Sequence, residues 1–237
     1  MIALFKKDFN AFFTSPIGYL VVGLFLLFNS LLLWFFKGDW NIFNTGFADM
    51  QAFFDSTPWL LLFLVPAITM RSFSDEYSNG TIEILKTRPL SNWQIVLGKF
   101  FATFTLILIS LVPTLIYAFS ISILAQPAHI DWGPIIGSYV GLSLLGAVFI
   151  SIGLFTSILS KNQIVAFLVG LLLIFMLFYG IEQIVLWYPS LPNFMQNISL
   201  YTHLKSISKG VIDSRDLLYF LSVCLFFLFL TKWKLDK

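Results

Sequence analysis

The residues able to do chemistry in this sequence are few, and most of them crowd one polar stretch, RSFSDEYSNGTIEILKTRPLSNWQIVLGKF, from Arg71 to Phe100. Glu76 and Glu83 place carboxylates on either side of Gly80-Thr81, and Gly98-Lys99 ends the run. A Gly-Lys pair can close a phosphate-cradling loop, but Phe100 follows it here, and Trp93 stands where that loop needs its first glycine. No nucleotide site is present, so any ATP must be hydrolysed by another chain. The two histidines, His129 and His203, lie far apart in external loops; no His-Glu-x-x-His, paired intramembrane carboxylates or Gly-x-Ser-x-Gly elbow accompanies them. Cys224 is the lone cysteine and sits in an apolar run, which excludes an intrachain disulfide and a thiolate metal cluster; it reads as a small buried hydrophobe. The sequons at Asn79 and Asn197 are short matches, and only Asn197 falls on the external side.

The elements that must position these groups are set by composition. Of 237 residues, 58% are hydrophobic and 11% charged, against roughly 45–50% and about 25% in soluble domains. With 28 Phe and 7 Trp, the apolar material exceeds what one water-facing domain can hide, so the solvent is lipid. A net charge of +2 is too small for a nucleic-acid partner. In hydrocarbon only helices satisfy their own backbone, so each apolar run of about 20 residues is read as a spanning helix. Six are expected: Ile17 to Phe36, Phe53 to Met70, Gly98 to Leu124, Pro134 to Leu159, Ile164 to Leu186 and Leu217 to Thr231. The last is marginal, because its uninterrupted core, Leu217 to Leu230, spans only ~21 Å at about 1.5 Å per residue. The fold class is therefore all-α and polytopic, a single domain over 1–237.

Counting basic residues on alternate sides orients the spans. Lys6, Lys7, Arg71, Lys86, Arg88, Lys99, Lys161, Lys232, Lys234 and Lys237 fall on one side; Lys37, Lys205, Lys209 and Arg215 fall on the other. Both termini are expected in the cytoplasm. Residues 1–16 read as a helix in the membrane interface, with Ile2, Phe5, Phe9, Phe12 and Phe13 on one face. The first apolar run is too long for a cleaved signal and has no small-x-small site after it. Ser91 with Gln94 predicts a capping box for the third helix, and Ser160 with Gln163 repeats the pattern at the fifth. Gly133, Gly137 and Gly141 form a stripe on which another helix, inside the chain or in a second copy, can pack closely. Pro66 and Pro113 are expected to kink their spans. Glu182 alone interrupts a span, near the outer boundary. So few intramembrane charges weigh against a proton-driven carrier, although Asn29, Ser110, Thr114, Ser143 and Thr156 could line a path.

Two connections are long enough to hold structure: 71–97 on the cytoplasmic side and 187–216 outside. In the first, Thr81 is expected to cap a short helix after Gly80 breaks the preceding one, a helix-break-helix element fit to dock a partner. Its residues Glu76, Gly80, Thr81, Glu83, Ile84, Leu85, Pro89, Gly98 and Lys99 resemble the signature of the ABC-2 type transporter permeases. The stretches HLKSISKGVIDSRDLLYFLS and LFKKDFNAFFTSPIGYLV are similar to the GldF type of gliding-motility permease subunits, a likeness that runs over nearly the whole chain. Lys86-Thr87-Arg88 is more basic than that pattern.

This resemblance implies a permease in the bacterial inner membrane, probing no substrate by covalent chemistry and holding no cofactor or metal. It implies a cytoplasmic ABC ATPase subunit as partner, with Glu76, Gly80, Thr81, Glu83, Ile84 and Leu85 forming the coupling helix that rests in its groove. A second permease copy or a homologous membrane subunit, and membrane lipid, complete the expected partners. The rival reading makes the chain a non-transport scaffold or mechanotransmission subunit, which needs the same coupling segment.

Overall fold

The computed structural model describes residues 1–38, 40–45, 49–83, 90–125, 131–187, 198–211 and 213–236. Among them the chain is all-α. Six helices are long and apolar enough to cross a membrane: α2 (Pro16–Phe35), α4 (Gln51–Thr69) with its continuation α5 (Arg71–Ser78), α6 (Asn92–Leu124), α7 (Trp132–Leu159), α8 (Gln163–Trp187) and α10 (Ser214–Asp236). Three others do not span: α1 (Ile2–Thr14), the single-turn α3 (Ile42–Thr45) and α9 (Leu200–Ser208). An even number of spans puts both termini at one end of the bundle, which also carries Arg71, Lys99 and Lys161; it is called the basic end below.

The marginal sixth span becomes a helix of 23 residues, ~34 Å long at about 1.5 Å per residue. Its polar flanks, Ser214 to Asp216 and Lys232 to Asp236, stay helical beyond the apolar core. Lys232 reaches Asp236 at 2.5 Å one turn on, and Asp236 accepts from Asn92 Nδ2 at 2.5 Å, which ties this end to the start of α6.

α7 is the central helix. In its most apolar stretch 72% of residues are buried, against 22% in α8 and 28% in both α2 and α10, whose outer faces are left to lipid. It packs on α4, α5, α6, α8, α9 and α10. The approach of α4 depends on Gly153: a Cβ there would lie 2.1 Å from Thr69 Oγ1 and 2.9 Å from Thr69 Cβ. Only a residue without a side chain lets these two backbones meet at that distance.

α6 begins as expected. Gln94 N–H donates to Ser91 Oγ at 3.3 Å, and Ser91 N–H donates to Gln94 Oε1 at 3.1 Å, the reciprocal capping box. The matching expectation at α8 is corrected. Asn162, not Ser160, caps that helix, its Oδ1 accepting from Ile164 N–H at 2.9 Å, while Ser160 Oγ accepts from Asn162 N–H at 3.0 Å. Asn162 satisfies the first orphan donors from a closer position, which frees Gln163 to bond Asp75 on α5. Pro113 breaks α6 into a 3-10 turn over Val112–Thr114, and α4 holds Pro58 as well as Pro66 inside it. Two π-helical turns, Leu31–Phe35 and Met176–Gly180, end α2 and interrupt α8.

The polar residues considered as path-lining are bonded within the bundle. Asn29, fully buried, donates to Phe25 O at 2.9 Å and accepts from Thr57 Oγ1 at 3.2 Å, linking α2 to α4. Thr114 meets Tyr139 Oη at 3.0 Å, and Ser110, Ser143 and Thr156 bond carbonyls of their own helices.

Candidate coupling segment and its buried lysine

α5 prolongs α4 past the end of the apolar run, because Arg71, Ser72, Asp75 and Glu76 cannot lie in hydrocarbon but are compatible with a helix. It stops at Gly80, whose φ of +69° is the left-handed conformation that closes a helix and that residues with a Cβ rarely adopt. Asn79 N–H still donates to Asp75 O at 3.0 Å, and the Thr81 hydroxyl reaches back to Glu76 O at 3.4 Å. Thr81 therefore ties off the first helix, and Ile82 and Glu83 resume helical conformation, Ile82 buried and Glu83 exposed. Ile84, Leu85 and the basic Lys86-Thr87-Arg88 before Pro89 lie outside the described residues.

The centre of this end is Lys99, 4% exposed, on the first turns of α6. Its Nζ donates to Glu76 Oε1 at 2.9 Å and to Ser72 O at 2.7 Å, stands 3.6 Å from Asp8 Oδ2 and lies 5.0 Å from the centre of the Phe73 ring. A buried ammonium is costly unless it is paired and its protons are accepted; here two carboxylates, a carbonyl and a ring face do both. One cation thus joins three elements: α1 through Asp8, α5 through Glu76, Ser72 and Phe73, and α6 through its own backbone. Gly98, its neighbour, packs closely on α1, where a Cβ would come within 3.2 Å of the Leu4 side chain. The Gly-Lys pair is a joint: the glycine packs on α1 and the lysine holds it.

Glu76 is consequently turned inward rather than offered to a partner, and its Oε2 is buried without a hydrogen bond among the described residues. Asp75 bonds Gln163 of α8, so α5 is tied to three other helices. Gly80, Thr81 and Glu83 remain exposed. The buried face of α1 is also different from the apolar one read in the sequence: Leu4 is buried and Asp8 faces Lys99, while Ile2 is 67% exposed. Phe5 stacks on Phe9 with centroids 5.8 Å apart, and Phe13 meets Phe9 tilted at 5.2 Å, on a half-buried side of the helix.

At the opposite end α9 occupies the long connection before α10. The glycine stripe faces it: a Cβ on Gly137 would stand 2.5 Å from Ile207 O, and one on Gly141 would stand 2.9 Å from Leu204 Cδ1. Gly133 takes part through its backbone, which a Cβ on Gly210 would approach to 2.9 Å. His203 Nδ1 lies 2.6 Å from Asp216 Oδ1, and its ring stacks on Tyr219 at 3.9 Å, pinning α9 to α10. Lys205 Nζ sits 4.5 Å over the Tyr201 ring. Its ammonium is held above the usual lysine value by the Tyr201 hydrogen bond, with help from Glu182 and Asp55 and against its own burial. His129 and Asn197 lie outside the described residues. Among those residues no cluster of His, Cys, Asp and Glu gathers as a metal site would.

Sequence reasoning saw Glu76 and Lys99 as motif positions but not as a pair, and it missed Asp8 altogether. The available signal was Lys99 itself, a charge one helical turn inside an apolar run, which must find a partner.

A multi-span helical membrane protein with an ion-paired polar extension after its second span is the class these features define. The family model described as ABC-2 family transporter protein matches residues 41–214, well over half of the chain. The chain belongs to that family, whose domain is a membrane component and not an ATPase. The match takes in the Glu76 to Lys99 segment and begins after α1, the helix that supplies Asp8. No curated protein matches this chain.

Proposed function

We propose that this chain is the permease subunit of an ATP-binding cassette transporter, driven by a separate cytoplasmic ATPase that engages the segment 71–97. The observation that carries the reading is the Lys99 joint. A push on the exposed turn Gly80-Thr81-Glu83 moves α5, and Lys99 passes the displacement to α6 and α1 without loss in a flexible link. In this reading the basic end faces the cytoplasm of a bacterium, both termini included, and Ile84 and Leu85 belong to the segment that the ATPase engages. A second copy of the chain, or a homologous membrane subunit, supplies the other half of the path. Export and a link to gliding motility rest on the resemblance of the first and last stretches to that group of permeases.

The test is reconstitution with the ATPase that co-purifies in gentle detergent. Gly80→Pro and Glu83→Lys are expected to abolish the stimulation of ATP turnover by the permease while leaving it inserted and folded. Normal coupled turnover in both variants removes the assigned role from this segment.

A further inference from the structure

At the basic end, a cavity of about 320 Å³ opens between α5, the α7 to α8 turn and the last turn of α10. Tyr77, Ile158, Leu159, Ser160, Lys161 and Lys234 line it. Its chemistry is one-sided. Lys161 and Lys234 are exposed and make no ion pair among the described residues. The nearby acids are already engaged: Asp75 with Gln163, Glu76 with Lys99, and Asp236 with Lys232 and Asn92. Two ammonium groups and two hydroxyls therefore line a space to which no carboxylate contributes among the described residues. Its depth is set by the apolar surface around it. Leu159, Ile164 and Trp233 are 48%, 67% and 51% exposed and mark where the lipid-facing rows of α7, α8 and α10 end. The lysines stand just beyond that line, at the level of phospholipid headgroups, and Trp233 is the interfacial aromatic expected there.

We propose that this cavity binds the phosphate of an anionic phospholipid in the leaflet at the basic end, with Lys161 and Lys234 as the counter-charges, Ser160 and Tyr77 as hydroxyl donors, and Leu159 against the acyl chains. Free phosphate shares the headgroup chemistry, but the exposed apolar rim favours a molecule that has chains. The site lies outside the ATPase-facing turn, and it stands or falls independently of the coupling reading. Because Tyr77 adjoins Glu76, an occupied site places a lipid headgroup directly against α5.

The test is native mass spectrometry of the full chain in detergent, titrated with phosphatidylglycerol or phosphatidylcholine. Each basic side chain at an anionic surface contributes about fivefold in affinity. Phosphatidylglycerol is thus expected to bind about 25-fold more tightly than phosphatidylcholine. Lys161→Gln/Lys234→Gln is expected to erase that preference, and Lys161→Arg/Lys234→Arg to keep it, which separates lost charge from lost fold. Equal affinity for the two lipids in the native chain overturns the proposal, as does an undiminished preference in the glutamine variant. Displacement of phosphatidylglycerol by an equal concentration of inorganic phosphate assigns the site to the free anion and overturns the lipid. A glutamine variant that keeps its lipid preference but loses ATPase capture makes the surface a protein dock, with the same consequence.

Discussion

Cutting the Lys99 joint from either side should give unequal costs, and the inequality is the signature of a buried ion pair. Glu76→Gln removes the carboxylate charge that faces Lys99 and leaves it a neutral amide oxygen as acceptor, while Ser72 O at 2.7 Å and Asp8 at 3.6 Å remain to hold the ammonium. The expected loss is about 2 kcal/mol in the opening of α5. Lys99→Met keeps the volume but leaves Glu76 with both oxygens unsatisfied, since Oε2 already has no partner, for a loss of about 3 kcal/mol. The double variant has no buried charge left to strand except the half-buried Asp8, so it should lose only about 2 kcal/mol, an interaction energy of about 3 kcal/mol in the cycle. Amide hydrogen exchange over residues 72–80 reads these values directly. A loss of about 2 kcal/mol accelerates exchange by about 30-fold there, with little change in the distant α9. Additive single costs, or exchange in α5 that does not respond to either variant, would refute the reasoning that Lys99 holds this segment in place.

Other substitutions test the packing. Gly153→Ala brings a Cβ within 2.9 Å of Thr69 Cβ, which no rotamer relieves, so thermal unfolding in detergent should report a loss of about 2 kcal/mol, partly restored by adding Thr69→Ala. Gly137→Ala meets the Ile207 carbonyl at 2.5 Å and should displace α9, seen as faster amide exchange over Leu200–Ser208 with α6 unchanged. Gly80→Ala strains a φ of +69° and should cost about 1 kcal/mol in thermal stability; Gly80→Asn, which tolerates that conformation, should cost less. Cys224, 7% exposed and bonded toward Ala147 O, should resist a water-soluble maleimide in the folded protein and react after denaturation.

The spans were legible because hydrocarbon leaves the backbone one option, and an apolar run of about 20 residues announces it. The Ser91 cap was legible because its four residues are contiguous. The same pattern misled at Ser160, where Asn162 lay closer to the helix start and competed for the role, and the sixth span looked short because hydropathy ends where the hydrocarbon ends and the helix does not. The joint was not legible. Asp8, Glu76 and Lys99 come from distant stretches, and only the crossing of α1 over Gly98 brings them together. α9 is not delimited by the sequence within the connection 187–216, because a nine-residue helix that carries Thr202, His203, Lys205, Ser206 and Ser208 gives no clear hydropathy signal; its docking depends on glycines in another helix.

The central claim is that the turn after α5 is gripped by a nucleotide-hydrolysing partner, and crosslinking from that turn tests it most directly. A photoreactive residue replacing the exposed Glu83, irradiated in native membranes, is predicted to capture a cytoplasmic ATPase subunit, with a yield that changes when ATP is trapped. Adducts found only with lipid or with the chain itself, at every nucleotide state, contradict the account.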